Sequence, residues 1–283
     1  MLAIAGVVTA VGVFAAIYSD GKTDNQEQSE SSAQSNKKFY VAMGDSVAAG
    51  VGLADAYDSS ACQRSQQSYP VWVANQSGAE LLHSACSGAT IDKGVSGSQT
   101  VNRLQLDSQI EQMKQSGKTP AYISLTIGAN DVNWLDLLQR CYQDQCGSLE
   151  DDAQIQSSVA ALQRDAVATI NTVTSMYPKA TLVVTGYYQL FSKNLVDNCE
   201  ELTGFDQDEL NFARSIQTSI NQALRTAVQT KERAVFSPVD FDGHELCTKN
   251  PWVQTLRESA PYHPTESGQV RIAEGITSKL KGL

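Results

Sequence analysis

Basic side chains are scarce in this chain. Its 283 residues include 21 Lys and Arg against 31 Asp and Glu, a net charge of −10. Phosphate backbones are held by clustered Lys and Arg, so this balance argues against nucleic acid as a partner. It also removes any electrostatic pull of the folded domain toward anionic lipid. Histidine is rarer still, with only His83, His244 and His263, which argues against a histidine-rich metal site. No Cys-x-x-Cys occurs, and no cysteine has a histidine at zinc-finger spacing. No internal repeat is present, and only one stretch, residues 20–37, is of low complexity.

Long apolar runs are also few. Residues Leu2 to Tyr18 carry no charge, in a run shorter than the ~20 residues of a comfortable spanning helix. It reads as a secretory signal or an N-terminal membrane anchor over residues 1–19, although Ile17-Tyr18-Ser19 is not a small-residue cleavage site. Residues 20–37 are rich in Gln, Ser, Asn and Glu, cannot bury enough surface to offset ordering entropy, and are expected to form a flexible linker. The folded domain then spans 38–283, a length that suits one α/β domain. That order of segments places the domain outside the cytoplasm, secreted or tethered to the outer face of the membrane.

The six cysteines, Cys62, Cys86, Cys141, Cys146, Cys199 and Cys247, fit an oxidising compartment and read as structural staples. Six cysteines allow 15 pairings. Neighbour pairing (Cys62–Cys86, Cys141–Cys146, Cys199–Cys247) is the simplest; by loop-closure entropy it would contribute roughly 3–4 kcal/mol for each long loop and about 2 for the short one.

Apolar, β-branched runs recur at Phe39–Met43, Leu81–His83, Ala121–Ile127, Thr181–Thr185 and Ala234–Phe236. Helical-period stretches lie between and after them, at Val101–Ser116, Asp151–Met176, Gln207–Thr230 and Glu266–Leu280. Strands alternating with helices imply βαβ units. The expected fold is a three-layer α/β/α sandwich around a mostly parallel sheet of about five strands.

Chemistry gathers at the strand ends. Gly44-Asp45-Ser46 follows the first strand, Cys86-Ser87-Gly88-Ala89-Thr90 the second, and Thr126-Ile127-Gly128-Ala129-Asn130-Asp131 the third. Tyr262-His263-Pro264-Thr265 precedes the last helix. Singly, each has an ordinary explanation: Asp45 or Ser46 is a good helix cap, and Asn130-Asp131 a simple turn. Together they supply a hydroxyl, backbone N–H groups, an amide side chain and a base, which are the parts acyl transfer needs. No Gly-x-Ser-x-Gly elbow surrounds Ser46, which disfavours an α/β-hydrolase of that type. Asp45 adjoins the serine as a turn residue rather than a triad acid. His83, in a short apolar run, reads as a core histidine, and His244, near Cys247, as structural. Trp134, Leu135, Leu137 and Leu138 fit either an acyl pocket or a helix packed on the core.

The order and wording of these blocks resemble the SGNH (GDSL) hydrolase family, with Ser46, Gly88, Asn130 and His263 at its four name-giving positions. Cys62-Gln63-Arg64-Ser65, Ser68-Tyr69-Pro70, Ala85-Cys86-Ser87-Gly88-Ala89 and Gly243-His244-Glu245-Leu246-Cys247 are similar to its secreted actinobacterial lipase/esterase branch. The resemblance implies a flavodoxin-like α/β/α fold and three disulfides in sequential pairs. It implies Ser46 as nucleophile and His263 as general base. The oxyanion hole would be the N–H groups of Ser46 and Gly88 with the Asn130 amide. Three residues before His263, where many members carry Asp, this chain has Ala260. The resemblance then implies a Ser–His dyad whose imidazole is oriented by the Ala260 main-chain carbonyl. Glu258 and Glu266 are the nearest carboxylates in sequence.

The expected function is an extracytoplasmic serine esterase or lipase. It would act as a monomer on small-molecule or lipid esters through an acyl-enzyme, with no metal or organic cofactor. The alternatives are deacetylation of a cell-envelope glycan on the same fold and a non-catalytic envelope-binding module, for which Ala260 is the one supporting feature.

Overall fold

The five apolar runs become five strands of one parallel sheet. The computed structural model describes residues 37–143, 146–194, 196–229 and 231–281. The expectations for 1–19, and for 20–37 apart from Lys37, lie outside the described residues. In chain order the elements are β1 (Phe39–Gly44), α1 (Ser46–Ala49), α2 (Tyr69–Ser77), β2 (Glu80–His83), β3 (Gln99–Val101), β4 (Leu104–Leu106), α3 (Gln109–Gln115), β5 (Tyr122–Thr126), α4 (Trp134–Tyr142), α5 (Leu149–Met176), β6 (Thr181–Thr185), α6 (Gln207–Val228), β7 (Ala234–Ser237) and α7 (Glu266–Lys281).

The sheet order is β2-β1-β5-β6-β7 with every neighbouring pair parallel. β1, β6 and most of β5 are buried along their length, as strands covered on both faces must be. α2 packs against α7 and α5 against α6, giving the three-layer α/β/α arrangement. The strand order reverses at β1, so the crevice between the carboxyl ends of β1 and β5 is the topological switch point, where open α/β sheets bind ligands.

Long helices start where the sequence caps them. Ser148 and Asp151 form a reciprocal capping box at α5, and Asp206 and Glu209 form another at α6. The helix expected over Val101–Ser116 is corrected: only Gln109–Gln115 is helical, and β3 and β4 form an antiparallel hairpin before it. Asn102 and Arg103 both take positive φ, 49° and 66°, the two-residue hairpin turn whose twist matches its strands. Ser108 then opens α3 by accepting the Glu111 N–H at 3.1 Å.

The structure bonds Cys62 to Cys86, Cys141 to Cys146 and Cys199 to Cys247. The first ties the connection before α2 to the loop after β2, the second closes the end of α4, and the third links the segments after β6 and β7. No helix among the described residues is long and apolar enough to cross a membrane.

Candidate active site

β1 delivers Ser46 to the switch point through a turn that only glycine permits. Gly44 has φ 144°, and a Cβ there would lie 2.4 Å from the Thr126 carbonyl oxygen, because β1 and β5 close on each other at this level. The Asp45 N–H continues the pairing to that carbonyl at 3.0 Å. Asp45 then caps α1, its Oδ1 accepting the Val47 N–H at 2.9 Å. Ser46 is the first residue of α1 and half-buried. Its own N–H, like that of Gly88, meets no acceptor among the described residues, as expected of a first-turn donor.

His263 arrives from the far end of the chain, 217 residues on, with Nε2 2.8 Å from Ser46 Oγ. Its loop is fixed from several sides. The Gln254 N–H donates to the His263 carbonyl at 2.7 Å, and the Tyr262 N–H donates to the Gln254 carbonyl at 2.9 Å. The Gln254 amide in turn donates to the Val51 and Pro264 carbonyls, both at 3.1 Å. Nδ1 lies 3.1 Å from the Pro261 carbonyl oxygen. The expected partner is thus displaced by one residue. The Ala260 carbonyl instead accepts the His263 backbone N–H at 3.2 Å. The cause is the tightness of the turn: Tyr262 takes φ 68° and folds the ring back over the carbonyl two residues before it. Glu258 is occupied by the Thr255 N–H at 2.6 Å; neither it nor Glu266 hydrogen-bonds to the ring. Burial lowers the His263 pKa below its ordinary value, opposed by the carbonyls of Pro261 and then Ala260.

The other two predicted residues sit on the flanking strand ends. Gly88 follows β2 at φ 75°, in a loop held to β1 by the Cys86 N–H on the Gly44 carbonyl at 3.0 Å. Asn130 follows β5, and one N–H of its amide donates to the Ala89 carbonyl at 2.9 Å. That bond orients the amide and leaves its second N–H. Asp131 accepts the Ile91 N–H at 3.0 Å, and burial pushes its carboxyl up to about 6.

Residues 42–271 match the sequence profile of the GDSL-like Lipase/Acylhydrolase family. The chain belongs to that family. A relative, the lipase of Streptomyces rimosus, is 32% identical over 248 residues, 81% of this chain and 82% of its own. The crystal structure of the extracellular lipase from that organism aligns with TM-score 0.67 and 29% identity, over 86% of this chain and 99% of that one. Phospholipase A1 from Streptomyces albidoflavus NA297 aligns with TM-score 0.68 and 25% identity over the same shares. This GDSL-family chain is a carboxylic ester hydrolase of the SGNH type, similar to actinobacterial lipases.

Two apolar recesses of the hydrolase meet at His263, and the first of them also borders Ser46. One is a narrow slot of ≈ 30 Å³ walled by Val47, Trp134, Leu138, Tyr187, Tyr188 and Leu190, little more than room for one water. The other is an open groove of ≈ 390 Å³ between Leu135, Gln139 and Tyr142 of α4 and Leu256, Pro261 and Tyr262. Of the four residues read as pocket or core, Trp134, Leu135 and Leu138 line the recesses and Leu137 packs into the core. His83 is buried against Ser68 Oγ at 3.1 Å, and burial pushes its pKa down to about 3. His244 stacks on Trp252 at 3.7 Å and meets the Asn250 carbonyl at 2.8 Å; both are structural. Among the described residues, the only possible metal grouping is Cys199, Glu201 and Cys247, whose two sulfurs are joined in a disulfide.

Sequence reasoning did not single out three side chains that hold the hydrolase site together. Buried Gln269 of α7 donates to the Val47 carbonyl at 2.9 Å and accepts the Tyr69 N–H at 2.8 Å, tying α1, α2 and α7. Gln109 grips Gly44, and Tyr187 contacts Asp45. Of these only Tyr187 carried a positional signal, since it follows Gly186 at the end of β6.

Proposed function

We propose that this protein is an extracytoplasmic lipase or esterase that cleaves acyl esters through an acyl-enzyme built on a Ser46–His263 dyad. The observation that carries this reading is the 2.8 Å contact between Ser46 Oγ and His263 Nε2 at the switch point of the sheet. With Nδ1–H donated to the Pro261 carbonyl, Nε2 is the free base. It accepts the serine proton as Oγ adds to the ester carbonyl, the carbonyl π pair becoming the oxyanion. The N–H groups of Ser46 and Gly88 and the second N–H of Asn130 are the candidate donors to that charge; one such donor contributes typically about 10²–10³ in turnover. Collapse expels the alcohol, which takes the proton from His263. Water then repeats the sequence on the acyl-Ser46 ester. A carbonyl orients the imidazole without supplying the full charge a carboxylate would.

The apolar walls favour acyl or lipid esters over a glycan, because the recesses beside the dyad offer few polar side chains for sugar hydroxyls. The slot is too small for an alkyl chain, so we assign the chain to the open groove. Three disulfides suit an oxidising compartment, in keeping with export. Hydrolysis of p-nitrophenyl esters from acetate to palmitate, by the full chain and by Ser46→Ala, tests the reading. It requires turnover that vanishes in the variant. A folded, disulfide-bonded protein that cleaves none of the series would contradict it.

A further inference from the structure

We propose that Tyr187 is a positioning residue that sets the distance between the turn carrying Ser46 and the loop carrying Asn130. This rests on the dyad and oxyanion reading above. The phenol of Tyr187 is fully buried, and its O–H donates to the carboxylate Oδ2 of Asp45. The phenol oxygen of Tyr187 also accepts the Ala129 N–H at 3.1 Å. Asp45 is the residue before Ser46, and Ala129 the residue before Asn130. One hydroxyl therefore spans the crevice one residue behind each group proposed to act, with both its donor and an acceptor position in use.

The phenol has little freedom of its own. The Tyr187 N–H donates to Asn221 Oδ1 at 2.7 Å, and the Tyr187 carbonyl accepts Asn221 Nδ2 at 2.8 Å, a two-point grip from α6. Gln217 donates to the same carbonyl. The grip depends on the preceding glycine, since a Cβ at Gly186 would lie 2.8 Å from Asn221 Oδ1 and from Phe236. The ring meets Trp134 edge-on at 5.8 Å. A strut so held keeps the donors aimed where charge develops, so they need not reorganise during reaction.

The test is Tyr187→Phe, which keeps the ring and the pocket wall and deletes only the hydroxyl. With active sites counted by fluorophosphonate burst, kcat is expected to fall about 10- to 100-fold, the scale of a 1 Å misplacement. KM and acyl-chain preference stay within about threefold, since the recesses are unchanged. In an Asn130→Ala background the same change is expected to cost less than about threefold, because the group it positions is already gone. Asn221→Asp, which keeps the acceptor for the Tyr187 N–H and loses the donor to its carbonyl, is expected to lower kcat in the same direction, and serves if Tyr187→Phe does not fold. Unchanged kcat in a folded single variant, or an undiminished loss in the Asn130→Ala background, overturns the assignment and leaves the esterase reading standing. A wild-type chain without esterase activity overturns both.

Discussion

Gln109 binds Gly44 through both of its backbone polar groups. Its Oε1 accepts the Gly44 N–H at 2.6 Å and its Nε2 donates to the Gly44 carbonyl at 2.8 Å. The side-chain amide of a residue in α3 thus substitutes for a neighbouring strand at the point where β1 ends. Both partners are buried, so neither has water to fall back on. Replacing Gln109 with Leu leaves the Gly44 N–H unpaired and weakens the tether of the turn before Ser46. The expected loss is about 2–3 kcal/mol of unfolding free energy, read as a lower urea midpoint at unchanged m-value. A loss below about 0.5 kcal/mol would show that the turn does not need this grip.

The depressed pKa of His263 fixes the direction of the acid limb. In the proposed dyad neutral imidazole is the base, so activity is expected to fall as pH drops through the folded pKa. Burial puts that pKa below the ordinary value, so the acid limb of kcat/KM, which reports the free enzyme, is expected with its midpoint below about 6.5. The stability linkage has the same sign: this histidine's contribution is full above the unfolded pKa and is lost as pH falls through the folded one. Asp45, pushed up to about 7 by burial, adjoins Ser46. The profile is therefore to be recorded in Asp45→Asn as well, where the His263 limb should persist. A midpoint above 6.5 in both proteins would contradict the assignment of His263 as a buried base with only carbonyl partners.

Chain-length preference should follow the open groove. Leu256 faces α4 across it. A carboxylate there would be placed against any long alkyl chain, so Leu256→Asp is expected to raise KM for long-chain esters by at least about tenfold, the cost of roughly two methylene contacts. The acetate ester should change far less, giving a steep loss with chain length in an ester series. Equal losses on acetate and palmitate would place the acyl chain elsewhere.

Much of this architecture could be read from sequence, because buried parallel strands are near-continuous apolar runs. Phe39–Met43 and Thr181–Thr185 are examples, and three of the four chemical blocks stand at strand ends where an open sheet exposes them, the fourth just before α7. The hairpin was not legible. Val101 and Leu104 stand at a helical i, i+3 spacing, and the left-handed turn at Asn102 and Arg103 carries no glycine to announce it. The Pro261 carbonyl was missed in favour of Ala260 because the difference depends on the positive φ of Tyr262, a property of the folded loop. Gln109, Gln254 and Gln269 look like surface residues in a chain rich in exposed glutamine. Only their buried backbone partners identify them as ties between α1, α3, α7 and the His263 loop.

The proposed mechanism stands on Ser46 as the nucleophile and His263 as its base. The most direct measurement is reaction of the wild-type chain, Ser46→Ala and His263→Ala with a fluorophosphonate, with the adduct located by peptide mass spectrometry. Stoichiometric modification is expected on Ser46 in the wild type, none in Ser46→Ala, and a rate lowered by several orders of magnitude in His263→Ala. Modification at another serine, or a wild-type Ser46 that stays unmodified in the folded protein, would contradict it.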